Sequence, residues 1–124
     1  MSLDEVSTIF KRAIDTLDDS IFNFNNERYI VSINRSYYAV FYASKALLLK
    51  KGIKTKKHSG NIKKFGLEYV INDTFDAKIA KTLSELEEER ASVDYDFEFN
   101  AEQLQAKEIL ERATEFIEEC KKFL

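Results

Sequence analysis

The stretch RSYYAVFYASKALLLKKG, residues 35–52, meets no glycine or proline until Gly52. Apolar and small residues recur at Tyr37, Val40/Phe41, Ser44 and Leu47/Leu48, the three-and-four spacing of one helical face. Read backwards, the pattern takes in Ile30 and Ile33, so the spacing predicts a helix from about Glu27 to Lys51. Gly52 then supplies the usual C-terminal stop. A second stripe runs beside the first: Arg35, Tyr38, Tyr42, Lys45 and Leu49. Aromatic and apolar residues on two faces imply a helix covered on two sides. The cover is either the chain's own helices or another subunit, and periodicity does not separate the two.

Working outward, residues 2–23 carry Val6, Ile9, Phe10, Ala13, Ile14, Leu17 and Ile21 on one face, with Ser2 and Glu5 as a capping box. FNFNNE (22–27) reads as the break before the central helix. On the other side, a lysine-rich loop leads to His58 and Ser59 and a short helix with Ile62, Phe65, Tyr69 and Val70 inward. Asp73 is placed to cap a fourth helix, with Ala80 or Ile79, Leu83 and Leu86 inward, ending near Arg90. Asn100 and Gln103 start a last helix, with Leu104, Ala106, Ile109/Leu110, Ala113, Phe116/Ile117 and Cys120 inward. With no proline, three glycines and no internal repeat, the economical fold is all-α, an up-and-down antiparallel bundle of about five helices. Residues 1–124 suffice for one domain with one core.

The longest apolar run, Ala46–Leu49, is far too short to cross a bilayer, and the N-terminus has acids where a secretory signal needs positive charge. The expectation is a soluble cytoplasmic protein with no membrane contact. One cysteine and one histidine leave no internal disulfide and no His/Cys metal site, and no cofactor is expected. Gly-rich phosphate loops, HExxH and G-x-S-x-G are missing. Charge is uneven: ten Lys/Arg and no acid lie between Arg28 and Leu67, while all 22 acids lie outside it. Such a block either forms a basic face for nucleic acid or an acidic partner, or neutralises the acids across helix contacts. Lys54, Lys56, Lys57, Lys63 and Lys64 are its candidate contacts for RNA, nucleotide or a protein partner, together with Asp94. Acid runs such as Asp18/Asp19 and Glu87/Glu88/Glu89 read as solvated helix faces.

Chemistry is left to Arg90, His58, Tyr95 and the tyrosines of the central helix. A guanidinium forks onto phosphate, and a histidine can accept or donate a proton near neutral pH. Together with tyrosine hydroxyls they suit metal-free RNA cleavage, in which the ribose 2′-OH is the nucleophile. The plain structural reading is equally physical: Arg90 ends a helix and pairs with Asp94 or Asp96, and His58 caps the third helix.

RSYYAVFYASKALLLKKG, followed by KHSG, then ERASVDYDF and the closing AEQLQAKEILERATEFI, resembles the small single-domain HEPN proteins of archaea and bacteria. The likeness runs from about residue 27 to the C-terminus and is most specific in the Tyr-Tyr-Ala-Val-Phe-Tyr-Ala helix and the R-x-x-x-D-Y segment. It implies an up-and-down helical bundle, commonly a homodimer; Arg35, Tyr38 and Tyr42, from the second stripe of the central helix, are the candidate interface. It also implies pairing with a minimal nucleotidyltransferase in a toxin–antitoxin arrangement. Many members are metal-independent RNases that use Arg-x(4–6)-His, with two copies facing one another across a dimer. Arg90 matches the motif's arginine, but Tyr95, Asp96 and Phe97 occupy the histidine's window. Three functions follow: a dimeric module that binds RNA, nucleotide or partner, an endoribonuclease using Arg90 with His58 or Tyr95, and a purely structural homodimer.

Overall fold

The computed structural model describes residues 3–95 and 102–124. They form α1 (Leu3–Asn25), α2 (Tyr29–Lys50), α3 (His58–Phe65), α4 (Ala77–Tyr95) and α5 (Gln103–Lys121), with a π-helical segment, Gly66–Ile71, continuing α3. No strand occurs among the described residues, and the chain is an all-α helical bundle. The central place belongs to α2, which packs against α1, α3, α4 and α5. Its Ile33, Tyr37, Val40, Leu47 and Leu48 are essentially sealed from solvent and meet Ala13 and Leu17 of α1, Leu83 and Leu86 of α4, and Phe116 and Ile117 of α5. Each such large side chain contributes about 1.5–3 kcal/mol by leaving water.

The chain itself covers one face of α2 fully and the second face in part. Leu49, on the second stripe, is 5% exposed and packs with Ala46 and Val6 of α1. Arg35, Tyr38, Tyr42 and Lys45 remain half-buried. Small residues let α1 come close: Ser20 Oγ donates to the Ser32 carbonyl at 2.8 Å and lies 2.7 Å from Ser36 Oγ, all three serines fully buried.

Several expectations are corrected. Ile30 and Leu104, expected inward, are 44% and 65% exposed, because each sits in the first turn of its helix, where no neighbour covers it. Asp73 does not cap α4; its Oδ1 accepts the Thr74 N–H at 2.8 Å and steadies the preceding turn. The cap is Asp76, whose Oδ1 accepts the Ile79 N–H at 3.0 Å, while its own N–H donates to Glu119 Oε2 of α5. Arg90 is not at a helix end. With no glycine or proline to stop it, α4 continues to Tyr95, and Arg90 bonds Glu87 and Asp94 one turn away on either side. Ser2 and Asn100, expected as caps, lie outside the described residues.

Candidate functional site

The end of α2 sets where α3 begins. Gly52 takes a φ of 78°, a conformation costly for any residue with a Cβ, and the Ile53 N–H returns to the Leu48 carbonyl at 2.9 Å. The loop is then tied to α2 by Asn61, which is fully buried. Its Nδ2 donates to Ser44 Oγ at 2.7 Å and its Oδ1 accepts from Thr55 Oγ1 at 2.9 Å. Lys45 Nζ adds a bond to the Thr55 carbonyl at 3.3 Å. These contacts fix His58, the first residue of α3, over α2. Its ring stacks on Phe41 with centroids 4.4 Å apart, and its Nδ1 bonds the Tyr37 hydroxyl.

From His58 a polar chain crosses to α4 and returns to α2. Nδ1 stands 3.6 Å from Glu87 Oε2, and Glu87 Oε1 accepts from Arg90 Nη2 at 2.7 Å. Arg90 Nη1 donates to Asp94 Oδ2 at 3.2 Å, and Asp94 Oδ1 accepts from Asn34 Nδ2 at 3.3 Å. Asn34 Oδ1 in turn accepts from Arg35, whose guanidinium lies 5.0 Å above the Tyr38 ring. Arg90 packs over Tyr37 at 5.3 Å and keeps only 11% of its side chain exposed. Burial alone would lower the Arg90 pKa, but the bonds to Glu87 and Asp94 outweigh it and raise the value, so the charge is held. Burial, then the neighbouring Glu87 carboxylate, raises the Tyr37 pKa and keeps its hydroxyl protonated. Glu87 Oε2 and Arg90 Nε are buried and have no hydrogen-bond partner among the described residues.

The structure thus gathers Arg90, Asp94 and His58; Arg35 ends the polar chain, and Tyr38 lies between it and His58, its ring edge-on to the imidazole with centroids 6.2 Å apart. Tyr42 continues the α2 face next to Tyr38. Tyr95 closes α4, but its side chain lies outside the described residues, as do Asp96 and Phe97. Lys54, Lys56, Lys57, Lys63 and Lys64 are exposed and take no part in the polar chain. Lys54 and Lys56, with Lys45, Ile9, Leu49 and Ile53, line a cleft of about 620 Å³ between α1 and the loop. Sequence reasoning missed Glu87, which reads as part of a solvated acid run yet is the group shared by His58 and Arg90. Its spacing of three residues from Arg90 on one helix face was the available signal. Nothing local in the sequence joins His58 to Arg90; only the packing of α3 against α2 and α4 does. No group of three or more His, Cys, Asp or Glu among the described residues is arranged to hold a metal ion.

The family model for the HEPN domain matches residues 6–123. A protein of Methanocaldococcus jannaschii named as a candidate toxin is 32% identical over 120 residues, covering 97% of this chain and 82% of its own. A second so named from the same organism is 31% identical over 121 residues, covering 98% and 90%. A UPF0332 protein of Thermotoga maritima is 33% identical over 114 residues, covering 92% and 86%. With nearly the whole chain inside the match, the chain belongs to the HEPN family.

Proposed function

We propose that this chain is the toxin half of a toxin–antitoxin pair and cleaves RNA without a metal ion at Arg90 and His58. The observation that carries the reading is that His58, from a separate segment, stands at the same carboxylate as Arg90, so the missing motif histidine has a replacement in space. In the reaction, His58 accepts the proton of a ribose 2′-OH, whose oxygen forms a bond to the adjacent phosphorus. The P–O5′ bond breaks, leaving a 2′,3′-cyclic phosphate, and the departing oxygen takes up a proton. Arg90 opposes the negative charge gathered on the phosphate in the transition state. Tyr95 is the second candidate for proton transfer. The exposed lysines between Lys54 and Lys64 suit the RNA phosphates. In this reading the protein is a homodimer through Arg35, Tyr38 and Tyr42, and a minimal nucleotidyltransferase restrains it. The test is cleavage of total or transfer RNA in EDTA. Arg90→Ala and His58→Ala are each expected to lower the rate by about 10²–10⁴-fold. Activity untouched by both substitutions belongs to a contaminant and ends the proposal.

One observation favours a module that binds RNA or partner without cutting. Both terminal nitrogens of Arg90 are already engaged, by Glu87 and Asp94, so the guanidinium is partly neutralised before any phosphate arrives. On that reading RNA is retained in filter binding, with a salt dependence set by the lysines, and no product appears.

A further inference from the structure

Glu87 has a position that pairing with Arg90 does not use up. One oxygen takes the Arg90 bond, while the buried Oε2 accepts no hydrogen bond within 3.5 Å among the described residues and stands 3.6 Å from His58 Nδ1. A neutral imidazole carries one proton, on either nitrogen, and its neighbours decide which. Were the proton on Nε2, the Nδ1 lone pair would face a buried carboxylate oxygen, lone pair against lone pair. With the proton on Nδ1, the N–H donates to the Tyr37 hydroxyl and its positive end lies near the Glu87 carboxylate, 3.6 Å away, rather than a lone pair. Tyr37, fully buried, keeps its own proton and serves either arrangement, as acceptor from N–H or donor to a bare nitrogen. The carboxylate is an acceptor only, so it breaks the tie.

We propose that Glu87 is a positioning residue that fixes His58 as the Nδ1–H tautomer and leaves Nε2 as the nitrogen that takes the 2′-OH proton. The same carboxylate holds Arg90, so one side chain sets the relation between the proton acceptor and the cation. The role of Nε2 rests on the cleavage reading above; the tautomer does not.

Because His58 is the single histidine of the chain, its imidazole nitrogens give an unambiguous ¹⁵N spectrum. At about pH 9, where an ordinary imidazole is neutral, the wild type is expected to show a protonated Nδ1 and a bare Nε2. Glu87→Gln should move the proton towards Nε2, because the Tyr37 hydroxyl then donates to Nδ1. Tyr37→Phe should leave the Nδ1–H form in place, and it serves as the decisive variant should Glu87→Gln fail to fold. An Nε2–H wild type, or a tautomer that follows Tyr37 and ignores Glu87, overturns the assignment. RNA cleavage by Glu87→Gln should fall about 10–100-fold, the usual effect of losing a partner of a working histidine. A moved tautomer with an undiminished rate refutes the catalytic part alone. A wild type with the Nδ1–H form and no cleavage at all refutes the cleavage reading and leaves the positioning of His58 standing.

Discussion

Among the described residues, Tyr37 and Tyr69 are the tyrosines sealed in the core, and each makes a short polar contact there: Tyr37 with His58, Tyr69 as donor to the Leu47 carbonyl. Burial raises both hydroxyls, that of Tyr69 to about 12, with the nearby Asp73 charge adding to it. The sign follows from linkage. Above about pH 10 an unfolded tyrosine releases its proton, while the folded protein still holds it. The contribution is therefore complete below about 10 and falls as pH rises through that value towards the folded one. Urea melts between about pH 8 and about pH 11 should show stability falling across the upper part of that range. Tyr69→Phe should make the fall shallower, and at neutral pH it should cost about 1 kcal/mol for the lost hydrogen bond. An unchanged alkaline slope in that variant would assign the loss to other groups.

At the scale of elements, the three-and-four spacing was enough to define helices because each long helix presents a continuous apolar stripe to α2. It failed at the ends. Ile30 and Leu104 continue a pattern whose partner has run out, and Asp73 and Asp76 are equally good capping residues until the turn between them is built. The candidate site was legible only in part for a related reason. Arg90 and Asp94 are neighbours on one helix and could be paired by counting, whereas the meeting of His58 with Glu87 depends on Asn61, Ser44 and Thr55 holding a loop that carries no periodic signal. Three buried serines, Ser20, Ser32 and Ser36, were equally silent, since serine in a helix reads as surface. Yet Ser20, Ser32 and Ser36 join α1 to α2 without solvent. Ser20→Ala removes the hydroxyl that both other serines bond and is expected to destabilise the protein by about 1–3 kcal/mol, the cost of leaving buried polar groups unpaired. Denaturant melts of this variant against Ser20→Ala/Ser36→Ala measure it. The double variant should lose less than the sum of the two single changes, because it removes donor and acceptor together.

For the whole molecule, the open matter is how the polar chain from His58 ends. It reaches Arg35, which lies against Tyr38, and from there Tyr38, Phe41 and Tyr42 continue along α2 as a half-buried aromatic strip. The chain's own helices cover Leu49 and Ala46, so this strip is what remains of the second stripe of α2. Aromatic rings with an arginine at their edge are the residue types that concentrate binding energy at protein interfaces. A second copy seated there would bring two His58–Arg90 clusters to one seam. We therefore expect light scattering to give about twice the 14.5 kDa chain mass. Tyr42→Glu, which puts a charge into the desolvated centre of that seam, should weaken association by at least about tenfold, or about 1.4 kcal/mol. RNA cleavage should fall with the dimer if the two clusters act on one strand. A Tyr42→Glu protein that stays dimeric moves the interface elsewhere. A monomer that cuts RNA at the full rate shows instead that Arg90 and His58 of a single chain are sufficient.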